Sequence, residues 1–317
     1  MAYQELLLQN DYAADLKFQA QQMKSHLEMC VLRGMTDGAQ KRHQLIGVVD
    51  PIQIVERHQP TPYIPNTHDD RWTVQSKWVL NDYFDKFDEM RTTVTDVTGR
   101  YVQNAIHGLN RKKDAIILTA LGGPAVTGQT GTGTQALPSG QKVLVGDHTF
   151  DPDGGTANVG LTPYKLQNAL AILEGQMGSL EEIKAQGGRV HAAFSAKQKQ
   201  ALMSHVQTVS DLYNNGKPMT TNQLAEFLGI ELHVYANSLV SVANGTVDGS
   251  ANQLAFVWLE DAIQLDFPAE SIETRVTERS DLNYSWQCWA SMQLGAVRVD
   301  DQKVVQIACD PTPVIVG

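Results

Sequence analysis

The run VTGRYVQNAIHGLNRKKDAIILTALGG, ending at Gly123, does most to narrow what this chain can fold into. Val102, Ala105, Ile106, Leu109, Ile116, Ile117 and Ala120 stay near one face at helical spacing. Thr98 is placed to act as N-cap, and Gly122-Gly123-Pro124 is a strong stop. A helix over 98–121 would be a rod on the order of 35 Å, from a rise of about 1.5 Å per residue. Few globular cores need an element of that length, so the rest of the chain must be arranged along it.

A different texture precedes the rod. Ile46, Val48, Ile52 and Ile54 fall at even spacing, which predicts a strand with one apolar face, interrupted by Pro51. The stretch QPTPYIPNTHDD holds three prolines and has turn chemistry. A return run, RWTVQSKWVL, alternates Trp72, Val74, Ser76 and Trp78. Together these predict a two-stranded ribbon from about Gln44 to Leu80. An isolated hairpin is marginal in water, so its faces need a partner. Ahead of it, residues 3–33 carry Leu6, Leu7, Phe18, Met23, Leu27 and Val31 at loosely helical spacing. That segment reads equally as a docking arm or a core helix.

Beyond the rod, Gly122 to Gly160 is rich in Gly, Thr, Asp and Pro around a short strand at Lys142 to Val145, an exposed loop or small hairpin. Thr162-Pro163 opens a helix with apolar Leu166, Leu170, Leu173 and Met177. Ser179 to Glu182 and Ser195 to Gln198 are capping boxes for two more, with RVHAAF between them as a strand. The last third is strand-rich: Ile230 to Tyr235, Leu254 to Trp258, Ser285 to Val299 and Lys303 to Cys309. Asp300-Asp301 predicts a hairpin turn joining the final two. The class is α+β.

The charge pattern narrows function. Net charge is −10, and the nearest basic run, Arg111-Lys112-Lys113, is followed at once by Asp114. A surface gripping phosphates tightly is disfavoured. No window approaches a membrane span, and the N-terminus has no basic, cleavable leader pattern. Cys30, Cys288 and Cys309 stand in no metal or redox spacing and read as buried thiols of a reducing cytoplasm.

Motifs for catalysis fail on context. Gly131-x-Gly133-x-x-Ala136 matches a variant of the dinucleotide fingerprint. Such a loop must follow a strand and open a helix. Here it follows a helix, and Pro138 blocks a new one, so these glycines read as flexible backbone. Asp147, His148, Asp151 and Asp153 could together hold a divalent cation, but Thr162 stands where an EF-hand loop needs its terminal Glu. His26 and Cys30 are only two ligands. No catalytic residue, cofactor site or metal site is assigned, and the chain is expected not to be an enzyme.

The order of elements carries more information than any motif. The stretches DKFDEMRTTVTDVTGRYVQNAIHGLNRKKDAIILTALGG, FLGIELHVY and LGAVRVDDQKVVQIACD occur in that order. The chain resembles, from about residue 40 onward, the major capsid proteins of tailed bacteriophages, whose shell fold is shared with encapsulins. The resemblance implies an N-terminal arm at 1–42, an extended β-hairpin loop at 43–82 and a peripheral domain at 83–161. That domain would hold a spine helix at 98–121 and a Gly-rich loop at 122–160. An axial domain at 162–262 and a C-terminal return to the peripheral domain at 263–317 complete it. SVANGTVDGS or DLYNNGKPMTT would be an axial loop.

The resemblance further implies pentamers and hexamers closing an icosahedral head in the virion, assembled in the host cytoplasm. The head would enclose DNA without sequence-specific binding. A separate scaffolding protein is expected, since no room for a scaffolding segment precedes the arm, together with a portal and a decoration protein. Tyr63, Ile64, Trp72 and Trp78 on the ribbon are the expected subunit-interface residues. The alternatives are an encapsulin-type nanocompartment shell and a cytoplasmic metal-dependent hydrolase using Asp147 to Asp153.

Overall fold

The computed structural model describes residues 18–57, 60–85, 97–147, 160–185, 188–203, 226–247, 250–269 and 271–311. In chain order its strands begin with β1 (Leu32–Met35), β2 (Gln40–Ile46), β3 (His68–Val74) and β4 (Ser76–Phe84). Helix α1 (Val97–Gly122) leads to β5 (Ala125–Thr127), β6 (Gly133–Gln135) and β7 (Lys142–Val143). Next come α2 (Pro163–Met177), α3 (Leu180–Ala185), β8 (Val190–Ser195) and α4 (Ala196–Met203). Strands β9 (Glu226–Phe227), β10 (Ile230–Tyr235), β11 (Asn244–Val247), β12 (Ser250–Leu259) and β13 (Ile263–Phe267) follow. The chain closes with β14 (Ile272–Arg279), β15 (Ser285–Arg298) and β16 (Val304–Cys309).

The chain divides into two units, and α1 and β15 contribute residues to both. In the first unit, β14 and β4 flank the Ser285–Leu294 part of β15, all antiparallel. The first half of α1 packs on β4 closely enough that a Cβ at Gly108 would lie 2.9 Å from the Leu80 methyl. Phe84 meets Tyr101 with ring centroids 6.0 Å apart. Residues 18–23 follow the same helix without being helical. Phe18 lies edge-on to His107, Arg111 donates to the Gln21 side chain at 2.6 Å, and Asn110 donates to the Met23 carbonyl at 2.9 Å.

The second unit holds the main core. A mixed sheet runs β7-β16-β12-β8-β10-β9, with β11 on β12. Leu166, Ala169 and Leu173 of α2 join Val143, Val257, Val305 and Ile307 in one buried cluster. Two of the predicted caps form as expected: Thr162 accepts from the Lys165 amide, and Ser195 and Gln198 exchange backbone and side-chain bonds at 2.8 and 3.3 Å. Two smaller arrangements complete the unit. Strand β13 lies between parallel β1 and the antiparallel Gly295–Arg298 end of β15. The ribbon forms a sheet in the order β2-β3-β5-β6.

Four expectations need correction. The helix predicted over 3–33 is absent from the described part, 18–33, apart from one 3-10 turn at Glu28–Cys30. Asp114 instead accepts the His26 and Leu27 amides at 3.0 and 3.2 Å, which satisfies that backbone in an irregular path. The ribbon is β2 with β3, in register from Gln40↔Val74 to Ile46↔His68, so it starts earlier and ends at Val74. After Gln75 the chain changes partner, and β4 with Trp78 pairs with β15 instead. The final hairpin does not form: β15 and β16 belong to different sheets. Asp301 turns inward to bind Arg298 and Arg71, redirecting the chain between them. The rod spans Val97–Gly122, which puts Thr98 inside its first turn rather than at its cap.

Candidate assembly surface

The ribbon has a charged, buried base. Asp266 of β13 is fully buried, with His43 at 2.7 Å and Lys41 at 2.9 Å, both from β2. Burial alone would raise this carboxyl, but hydrogen bonds from His43, Lys41 and Thr73 outweigh it and hold the group below the ordinary carboxylate range. On β3, buried Arg71 reaches Asp301 at 3.0 Å. The opposite oxygen of Asp301 pairs with Arg298, whose guanidinium also donates to the Leu121 and Gly123 carbonyls at 3.1 and 2.8 Å. Arg298 thus caps the C-terminal end of α1, where carbonyls lack helical partners and cations are favoured. One ion-pair network ties the ribbon, the rod and β15 together.

The far end of the ribbon is built differently. Ile46, Val48, Ile52, Ile54, Val55 and Tyr63 are exposed, the last at 88 %. Among the described residues between Ile46 and His68 there is no strand. Ile64 is half-buried. Large exposed apolar side chains concentrated in one segment are a property shared with interaction surfaces.

The remaining predicted interface residues lie elsewhere. Trp72, half-buried, donates its indole N–H to the Gly128 carbonyl at 2.7 Å. Its ring covers Gly131, whose φ of +69° would strain any side chain and whose added Cβ would sit 3.2 Å from the indole. The glycines of the fingerprint are therefore a tight β5–β6 hairpin against Trp72, with Val126 opposite Thr134. Trp78 is on β4, under the Lys112 ammonium at 3.8 Å from the ring centroid. It lines a groove of about 480 Å³ with Leu80, Tyr101, Leu109 and Cys288. Val79 and Tyr83, on the face of β4 opposite Trp78 and Leu80, are exposed and apolar.

Of the residues considered for a cation, Asp147 is described, whereas His148, Asp151 and Asp153 lie outside the described residues. So does DLYNNGKPMTT; of SVANGTVDGS, Asn244–Val247 form β11 and Ser250 opens its partner β12, and 248–249 lie outside the described residues. Cys30, Cys288 and Cys309 are buried thiols outside any disulfide among the described residues. What sequence spacing missed is that Cys30 meets His191 and His233, residues more than 150 positions away along the chain.

The profile of the family described as phage capsid protein matches residues 5–311. No curated protein sequence matches the chain. Among solved structures, the capsid of Ralstonia phage GP4 is similar at 12 % identity, covering 97 % of both chains with a TM-score of 0.66. The capsid of cyanophage P-SCSP1u is similar at 12 % identity, covering 97 % of this chain and 94 % of that one, with a TM-score of 0.63. A chain of Mycobacterium phage Ogopogo is similar at 14 % identity over 96 % and 98 %, with a TM-score of 0.64. The expected α+β shell fold and capsid reading are borne out, and neither alternative is favoured. The chain belongs to the phage capsid protein family, as a self-assembling major capsid protein of the tailed-phage virion.

Proposed function

We propose that the subunit builds its shell by laying the exposed ribbon tip on a neighbouring copy, in pentamers and hexamers of one icosahedral head. The observation that carries this is the contrast along one ribbon: an ion-paired, buried base and a tip of exposed Ile, Val and Tyr side chains. Exposed apolar surface of this kind is an aggregation liability on a monomer and an interface on an assembly. Tyr63 and Ile64 would be contacts of the tip, and Trp78 with its β4 neighbours a second contact. Trp72 would serve the interface by fixing the ribbon on its own β5–β6 hairpin.

In this reading the residues ahead of the ribbon, which begins with β2 at Gln40, are the arm, and α1 is the spine of the peripheral domain. The segment 162–262 is the axial domain, and the strands after it return to the periphery. Assembly would take place in the host cytoplasm with a separate scaffolding protein, a portal and a decoration protein. The acidic chain would enclose DNA without gripping it. Negative-stain microscopy of the purified chain, with and without co-expressed scaffold, tests this. Shells, rings or sheets are expected; uniform monomers under every assembly condition would overturn it.

A further inference from the structure

Cys30 sits in the 3-10 turn before β1, while His191 and His233 lie on the parallel neighbours β8 and β10. Their ligand atoms all fall within 4.8 Å of one another. The Cys30 Sγ is 3.3 Å from His233 Nε2, and His191 Nδ1 is 3.2 Å from that same nitrogen. Around a tetrahedral Zn²⁺, bond lengths of about 2.3 Å to sulfur and 2.0–2.1 Å to nitrogen imply ligand separations of roughly 3.6 Å for S···N and 3.3 Å for N···N. The observed spacings are close to both. Glu231 Oε2 stands 3.3 Å from His191 Nδ1, outside the three-residue set, and its exposed side chain would have to turn inward to take a fourth position.

Hydrogen bonding accounts for only part of the convergence: His191 Nδ1 can donate to Glu231, which leaves its 3.2 Å approach to His233 Nε2 without a bond of its own. A neutral imidazole nitrogen carries one proton or one lone pair, so His233 Nε2 can bond Cys30 or His191 well, but not both. The thiol has another acceptor in the His26 carbonyl, at 3.6 Å. His191 is 1 % exposed, and its other nitrogen, Nε2, is buried with no hydrogen-bond partner. The ring's far side therefore does nothing to set its orientation. A cation would accept three lone pairs at once.

The surroundings suit a cation. Glu231, Asp114 and Glu260 place negative charge around the thiol, against Arg189 alone on the positive side. Cys30 is positioned from both flanks, by Asp114 on the His26 and Leu27 amides and by the Trp258 indole donating to the Cys30 carbonyl at 2.9 Å. His233 is half-buried and the Glu231 side chain is 41 % exposed, which leaves an entry side. A thiolate and a carboxylate would balance the dication in a set of borderline donors that favours Zn²⁺ over Mg²⁺ or Ca²⁺.

We propose that Cys30, His191 and His233, with Glu231 turning in beside His191 as fourth ligand, form a structural Zn²⁺ site that staples the segment before β1 to strands β8 and β10 of the main sheet.

The test is Co²⁺ titration of the full-length, reduced chain, followed by Zn²⁺ competition. A thiolate-to-cobalt charge-transfer band that saturates at one equivalent and is displaced by Zn²⁺ is expected. Cys30→Ser should abolish the band and His233→Ala should weaken binding about 100-fold or more, while Cys288→Ser keeps wild-type behaviour. Hydrogen exchange on the wild-type chain gives a readout independent of the variants' folding: residues 26–31 should be protected by Zn²⁺ and released by chelator. A folded wild-type chain with no charge-transfer band overturns the proposal. So does bound metal that persists in Cys30→Ser, or exchange at 26–31 that ignores Zn²⁺.

Discussion

The base of the ribbon is built on β2 and β3 and the tip on the segment that joins them, and the two obey opposite rules. At the base, Asp266 and Asp301 are buried among Lys41, His43, Arg71 and Arg298, each matched within the chain. At the tip, Ile52, Ile54, Val55 and Tyr63 face outward. The base answers to folding and the tip to assembly. A subunit that must be the same in every copy, while its neighbours vary, gains from keeping these two sets apart. Changes at the base should cost stability, and changes at the tip should cost only assembly.

The largest effect is expected for Arg298→Ala. It leaves Asp301 buried with a single cationic partner, Arg71, and uncaps the Leu121 and Gly123 carbonyls, so a loss of about 3–5 kcal/mol should appear in urea unfolding. An unchanged midpoint would mean that the network does not hold the ribbon. Asp266→Asn should cost less, about 1–3 kcal/mol, because the amide keeps one acceptor oxygen and loses only the bond from either His43 or Lys41.

The same residue gives an acid signature. Folded Asp266 resists protonation more than the unfolded chain does, so its contribution is complete above the ordinary carboxylate pKa of about 3.9. It fades as pH falls through and below that value. Unfolding followed from pH 6 to pH 2 (a window of about four units) should show a shallower acid decline in Asp266→Asn than in wild type. Parallel declines would remove this carboxylate from the account.

A smaller effect is expected at the β5–β6 hairpin. Gly131→Ala forces a side chain into left-handed backbone against the Trp72 ring, at a cost of about 1–2 kcal/mol. Thermal melting checks it, and Gly140→Ala, where an added Cβ meets nothing within 4 Å, serves as the neutral comparison.

The parts legible in sequence are those whose signal is local. The rod declares itself through its apolar face and the Gly122-Gly123-Pro124 stop, and α2 and α4 through capping residues three or four positions from their partners. What escaped reading depends on partners far along the chain. Asp300-Asp301 has hairpin chemistry, but Asp301 is claimed by Arg71, 230 residues away. Leu27 and Val31 are buried as a helical pattern would predict, yet Asp114 satisfies their segment's backbone without a helix. The alternation from Trp72 to Trp78 is real, but it continues across Gln75, where the strand trades one partner for another. The tip's apolar residues were visible; that Trp72 faces its own hairpin was not.

The most direct test introduces Ile52→Asp and Ile54→Asp together and measures two things on one preparation. Stability of the unassembled subunit should stay within about 0.5 kcal/mol of wild type, as for exposed sites. Microscopy under conditions that give wild-type shells should show free subunits or capsomers only. Normal shells from the double variant would contradict the account, and so would a loss of monomer stability as large as that of Arg298→Ala.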